Sequence, residues 1–289
     1  MKSLILAGNA VITDIWLMFH MSHVPARDPL DRAFSLITLP APYRLQLFEQ
    51  IDSTNKFALK TAIQGDGGFL WIKAEEQTDG KGRRGRRWVS ERGNLFASLL
   101  LVDPAPVSLV GQLPLVTAVA VHAAVCEMLP AVLRKEIKIK WPNDLLWGNQ
   151  KICGILLESA FLPSGKQAVA IGIGVNCQTH PGQTDHLAAA DLSKSGSLIE
   201  PEMLFQRLAS QMALQLDIWQ RGDNFAAIRN LWLESASGLG QSIVARLPNE
   251  EVSGIFEKLD ESGALVMRLA GGESRVIYAG DVFLPGMTD

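Results

Sequence analysis

Cysteine is scarce in this chain of 289 residues. The three present, Cys126, Cys153 and Cys177, are odd in number, scattered and free of CxxC spacing. That excludes a disulfide framework and a cysteine-held zinc site, and it fits a reducing compartment, the cytoplasm. Basic charge is not in excess either: 27 lysines and arginines against 30 acids leave a net charge of −3. A protein that binds nucleic acid across a whole domain carries the opposite balance. Near the N-terminus there is no uninterrupted apolar span. Leu4 to Phe19 is broken by Asn9, Thr13 and Asp14, too short and too polar to cross a bilayer, and no convincing cleavage site follows. Internal repeats and low-complexity tracts are missing, as are the P-loop pattern GxxxxGK[ST] and a GxGxxG turn opening a Rossmann helix.

What is present suits a soluble globular protein, with 47% hydrophobic and 20% charged residues. That is ample for one large domain, or for a large domain with a small companion. Pro25, Pro29, Pro40 and Pro42 mark an irregular extension over residues 1–42, within which Met21 is an alternative start. Residues 43–51 alternate as a strand, and Asp52 and Ser53 can cap a helix over 54–64, with Gly65 just past its end. Strands are expected at 68–77 and 93–102. Residues 111–129 read as a helix apolar almost all round, hence packed on both sides. Strands follow at 136–141, 144–147, 151–160 and 167–175, with a hairpin turn at 148–150. A polar loop spans 176–197, and helices are expected at 201–219, with Pro201 in the first turn, and at 224–234.

After Ser237-Gly238-Leu239-Gly240 the texture changes. Four short alternating runs, 243–247, 252–259, 264–269 and 274–278, are separated by turn signals and describe a small all-β module of SH3-like size. The expected organisation is an α/β (α+β) main domain over 43–237 and a C-terminal β domain over 238–289.

Five constellations can carry chemistry. The first is Asp79-Gly80-Lys81-Gly82-Arg83-Arg84-Gly85-Arg86-Arg87-Trp88, with five cations between Lys81 and Arg87, so the rest of the chain sums to −8. Glycines that allow close backbone approach, combined with clustered charge, suit phosphate oxygens. A solvated surface loop or a nucleic-acid patch has the same composition. Mutual repulsion is expected to keep the run mobile until an anion arrives. The second is Lys140-Trp141-Pro142-Asn143-Asp144, a strand end that offers an amide and a carboxylate to a polar ligand or a magnesium ion, or else a plain turn. Lys151 opens the apolar run through Gly154 to Glu158 and is either an edge lysine or a ligand contact. Gly172-Ile173-Gly174-Val175-Asn176 ends a strand in glycines and an amide, and Asp52-Ser53-Thr54-Asn55 is at least a helix cap.

Their combination decides. Ser53-Thr54-Asn55, Gln77, Gly80-x-Gly82-Arg83-Arg84-Gly85-Arg86-x-Trp88, Lys140-Trp141-Pro142-Asn143-Asp144, Lys151-x-x-Gly154-Ile155-Leu156-x-Glu158 and Gly172-x-Gly174-x-Asn176 occur in an order and at a spacing that resemble the biotin protein ligases. With the C-terminal β module the resemblance covers residues 43–285. It implies the mixed-sheet catalytic domain of the biotin/lipoate ligase type with an SH3-like barrel. It also implies a two-step acyl transfer, in which biotin and ATP give biotinyl-5'-AMP and a lysine of an acceptor domain then takes the biotin.

Residue by residue, the resemblance implies biotin contacts at Ser53, Thr54, Asn55, Gln77, Lys81, Gly82, Arg83 and Lys151. It implies ATP or adenylate contacts at Arg84, Arg86, Asn143, Asp144 and Asn176, with Asp144 also near magnesium. Lys151 is the expected main electrostatic catalyst, assisted by Arg83. The implied acceptor is the biotin carboxyl carrier domain of acetyl-CoA carboxylase or a related carboxylase, and a homodimer fits the family. Neither DNA nor membrane is an expected partner, because no two well-formed helices precede Tyr43. The sequence departs from the family at Lys81, where Arg is usual, and Arg and Lys differ at bidentate sites. The loop after Asn176 offers no obvious aromatic to stack on adenine. A lipoate or octanoate ligase or transferase shares the fold, but the arginine-rich loop counts against it, since those enzymes favour an RRxxGGG pattern.

Overall fold

A computed structural model describes residues 5–6, 37–182 and 188–284. Most of the expected 1–42 extension therefore lies outside the described residues. Ile5–Leu6 (β1) pairs antiparallel with Arg44–Ile51 (β2) at one edge of the main sheet.

The helix Thr54–Ile63 (α1) carries the chain from β2 to Leu70–Gln77 (β3), which lies parallel to β2. Ser53 is the N-cap, in extended geometry, and its Oγ accepts the N–H of Lys56. Leu95–Val102 (β4) follows, and then the helix Leu113–Met128 (α2), which has Pro114 in its first turn. Strands Ile137–Lys140 (β5), Asp144–Trp147 (β6), Gln150–Phe161 (β7) and Gln167–Val175 (β8) form an antiparallel set. The sheet order is β1-β2-β3-β4-β8-β7-β6-β5, with β2 and β3 the one parallel pair. Helices Pro201–Trp219 (α3) and Phe225–Glu234 (α4) complete this part.

Alternation along the strands sends side chains to two cores. Along β3, Trp71 faces the large core, while Leu70 and Ile72 pack under α1 with Phe48, Ala58 and Leu100. On the large-core side α2 lies between the sheet and α3, with α4 beside it. Its near-uniform apolar character thus reflects burial on both sides, as expected. Residues 107–128, the one stretch among those described that is long and apolar enough to cross a bilayer, comprise this core helix and the 3-10 turn before it. Each fully buried Leu, Val or Phe contributes roughly 1.5–3 kcal/mol.

The C-terminal unit is an antiparallel sheet of Ser242–Arg246 (β9), Glu251–Leu259 (β10), Leu265–Arg268 (β11), Ser274–Ile277 (β12) and Asp281–Phe283 (β13), in the order β12-β11-β10-β9-β13. Sequence alternation marks the first four. β13 is too short to show a period and is recruited by pairing with β9. The unit is fused to the main body rather than tethered. Phe256 packs edge-to-face on Trp232, Ile243 and Leu265 belong to the large core, and the Trp141 indole donates to Gly263 O at 3.1 Å.

Candidate active site

A cavity of about 270 Å³ lies where β3, the basic loop, β7 and β8 meet the last strand of the C-terminal unit. Its floor is nearly bare backbone. Gly154 on β7 stands opposite Gly174 on β8, and Leu156 stands opposite Gly172. Trp88 lies on this floor. A Cβ at Gly174 would come within 2.5 Å of its indole nitrogen, and one at Gly154 within 3.0 Å of its ring.

One end of the cavity is polar and built from Ser53, Thr54, Asn55 and Gln77. The Thr54 N–H donates to Gln77 Oε1 at 2.9 Å, and Gln77 Nε2 donates to Ser90 Oγ at 3.0 Å, which fixes the Gln77 amide. Asn55 Nδ2 donates to Glu158 Oε2 at 2.8 Å and to Leu156 O at 3.2 Å. Between these two amides runs a chain of oxygens: Gln77 Oε1, Thr54 Oγ1 (3.0 Å), Ser98 Oγ (2.7 Å) and Asn55 Oδ1 (2.7 Å). Three gaps separate the four oxygens, and only two hydroxyl hydrogens, those of Thr54 and Ser98, are there to fill them. This buried end is one donor short, so it is suited to a head group that brings N–H donors.

The other end is cationic. Lys151 Nζ stands 2.7 Å from Asp144 Oδ1, and Lys140 Nζ stands 3.6 Å from Oδ2 of the same carboxylate. Burial works against ionisation of Asp144, but Lys151, Lys140 and Arg83 outweigh it and hold the carboxyl below its ordinary range. Burial pushes Lys140 below the usual lysine range, opposed by Asp144. Lys151 also lies 5.4 Å above the Trp88 ring. Both oxygens of Asp144 thus face ammonium groups, and no cluster of three His, Cys, Asp or Glu exists among the described residues. The protein groups do not form a cage for a resident magnesium ion. Asn176 Nδ2 donates to Ala190 O at 3.0 Å, which ties the strand end to the loop that roofs this end.

The basic run closes over the cavity as a hairpin. Lys81 bridges to Arg87, Gly82 N–H donates to Arg86 O, and Trp88 N–H donates to Gly80 O. At Gly80 a Cβ would meet Trp88 O at 2.6 Å. The tip turns through the left-handed region at Arg84 (φ 58°) and Gly85 (φ 73°). The expectation that repulsion alone governs the run left out a partner, because the run finds a counter-charge within the chain. Asp281 on β13 lies 3.7 Å from Arg83, 3.1 Å from Arg84 and 3.7 Å from Arg86. Arg83 also donates to Asn143 Oδ1 at 2.8 Å and to Gly280 O at 3.1 Å. Burial lowers its guanidinium pKa, with Asp281 and Asp144 opposing.

Of the residues singled out from sequence, Ser53, Thr54, Asn55, Gln77, Lys81, Gly82, Arg83, Arg86, Asn143, Asp144, Lys151 and Asn176 all line this cavity. Arg84 does not; it points to Asp281. The Lys81 side chain is half exposed and pairs with Asp79 at 3.4 Å. Asp281 and Ser98 were not selected, and Glu158 stood in the Lys151 motif without a role. Trp88 stood in the motif without a role, and its role follows from the β7–β8 register.

Fold and cavity together define a class of protein: a mixed-sheet domain with a cavity that is polar at one end and cationic at the other. Residues 47–176 match the biotin/lipoate A/B protein ligase family, and residues 238–284 match the biotin protein ligase C-terminal domain. A biotin–[acetyl-CoA-carboxylase] ligase of Paracoccus denitrificans is 41% identical over 248 residues, covering 83% of this chain and all of the relative. One from Mycobacterium tuberculosis is 30% identical over 264 residues, covering 89% and 96%. The biotin protein ligase of Aquifex aeolicus solved with biotin and ATP superposes with a TM-score of 0.68 at 25% identity, covering 83% of this chain and 97% of that one. The chain belongs to the biotin protein ligase family.

Proposed function

We propose that this chain activates biotin with ATP and transfers it to a lysine of a carboxylase carrier domain, as a biotin–[acetyl-CoA-carboxylase] ligase. The observation that carries this reading within the fold is the donor shortfall at the polar end. A ureido ring brings two N–H donors to the Gln77–Thr54–Ser98–Asn55 chain, whereas a lipoyl dithiolane or an octanoyl chain brings none. Rejecting a ligand that leaves buried polar groups unpaired is a strong form of selectivity.

In the first step a carboxylate oxygen of biotin attacks the α-phosphorus of ATP. The P–O bond to pyrophosphate breaks, and a mixed anhydride forms. Charge accumulates on carboxylate and phosphate oxygens, so the site needs fixed cations in a dry setting. That work falls to Lys151, held by Asp144 and backed by Trp88, with Arg83, anchored by Asn143, assisting. Arg86 and Asn176 bound the nucleotide side. In the second step the acceptor amine attacks the acyl carbon and AMP leaves. Magnesium would enter with ATP as part of the substrate and would supply counter-charge to the phosphates. The acceptor is a biotin carboxyl carrier domain. The buried free thiols of Cys153 and Cys177 suit a reducing cytoplasm.

The test is ATP–pyrophosphate exchange. Biotin should stimulate it, and lipoate and octanoate should not. Stimulation by lipoate alone would overturn the reading.

A further inference from the structure

Asn55 is the one cavity residue whose meaning depends on which way it points, because its amide has a donor end and an acceptor end. Its Nδ2 faces Glu158 Oε2 at 2.8 Å and Leu156 O at 3.2 Å, and its Oδ1 faces Ser98 Oγ at 2.7 Å. A flipped amide would set Oδ1 against a carboxylate oxygen and a carbonyl oxygen, two contacts between acceptors. The backbone carbonyl alone cannot enforce the choice as firmly as a charged acceptor can. Glu158 does not line the cavity, and among the described residues it has no cationic partner within 4.0 Å; its one side-chain hydrogen bond is the one to Asn55. Gly172 makes the arrangement possible, since a Cβ there would lie 2.6 Å from Asn55 Oδ1.

We propose that Glu158 is a positioning residue. By taking the Asn55 amino group it presents the carbonyl end of that amide toward Ser98, and so makes the polar end a receptor for N–H donors. The inference rests on the biotin reading and extends it to the residue that sets head-group selectivity. With the amide locked, Oδ1 adds an acceptor to an oxygen chain that is one hydrogen short. With the amide reversed, the same position would offer N–H and repel a ureido nitrogen.

Three substitutions grade the effect. Glu158→Lys supplies donors where acceptors stood and forces the flip. Glu158→Met removes the charged acceptor. Glu158→Gln can face either way and permits both amide orientations. Isothermal titration with biotin should give dissociation constants raised about 10- to 100-fold for the lysine variant, less for methionine and a few-fold for glutamine. The KM for ATP and the Tm should stay near wild type. In an Asn55→Ala background the three substitutions should have no further effect, a non-additivity that a merely structural role would not produce. Should the lysine variant fold poorly, the methionine and glutamine variants carry the comparison. Biotin affinity unchanged across the series, or affinity for biotin and ATP falling together with Tm, would overturn the proposal while leaving the ligase reading in place. A wild-type protein that does not bind biotin would overturn both.

Discussion

Asp281 on the last β-strand stands 3.7 Å from the guanidinium of Arg83 in the basic loop, and it holds Arg84 and Arg86 as well. The two residues belong to different sheets, so the small C-terminal unit supplies the counter-charge that folds the loop of the main one. Phe283, two residues on, lines the same cavity and lies beneath Lys140 at 5.4 Å. The β appendage is therefore part of the site.

Replacing Asp281 with alanine should loosen the loop without unfolding the protein. Three partly exposed pairs contribute about 0.2–1 kcal/mol each, so opening of the loop should rise about tenfold. Limited trypsin digestion reads this directly, as cleavage after Arg83 to Arg87. Equal cleavage rates in variant and wild type would remove the tethering role.

Lys151→Ala should retain the fold and lose the first step. The loss expected for an electrostatic contact to developing oxyanion charge is about 10²- to 10³-fold in pyrophosphate exchange. Near-wild-type exchange would show that another cation stabilises the transition state.

Gly174→Ala should displace Trp88, because the added methyl lies 2.5 Å from the indole nitrogen. Overpacking of this kind costs about 1–3 kcal/mol and also removes the ring from beneath Lys151. Tryptophan fluorescence should shift and exchange activity should fall about tenfold or more. An unchanged spectrum with full activity would contradict the packing described.

Asp144→Asn leaves Lys140, which is 5% exposed, without its partner. Breaking a buried pair in this way costs about 3–5 kcal/mol, measurable by urea unfolding at pH 7. The pH dependence has a definite sign. The Asp144 carboxyl is held below its ordinary range, so the unfolded chain binds more protons between the folded pKa and about 4. Stability from this group is complete above about pH 4 and is lost as pH falls through the folded pKa. The asparagine variant should lack that part of the acid slope.

Much of this site was legible in the sequence because its motifs sit on strand ends and turns, where the residue types report local geometry. Ser53 is a cap and Gln77 ends a strand, Asn143 lies on a turn between two strands, and Asp144 opens the second of them. The folded loop was not legible: its counter-ion is one aspartate in Gly280-Asp281-Val282, too short a run to show strand alternation and placed only by the β9–β13 pairing. Ser98 escaped, and Glu158 stood in a motif without a role, for a related reason. Each is an ordinary polar residue on a strand, and only the register of β4, β8 and β7 brings them to Asn55. The Lys81 departure was visible from its residue type, but the turn of its ammonium to Asp79 was not.

The floor made by Gly154, Gly172 and Gly174 sets a limit on redesign. Glycine is the smallest residue available, so substitution there can only raise the shelf and narrow the slot. Any variant meant to accept a thicker acid must gain its room elsewhere, at Trp88 or along the oxygen chain above it. Gains at Trp88 would come with loss of the aromatic support under Lys151. Broader substrate range and fast activation are thus opposed at a single side chain.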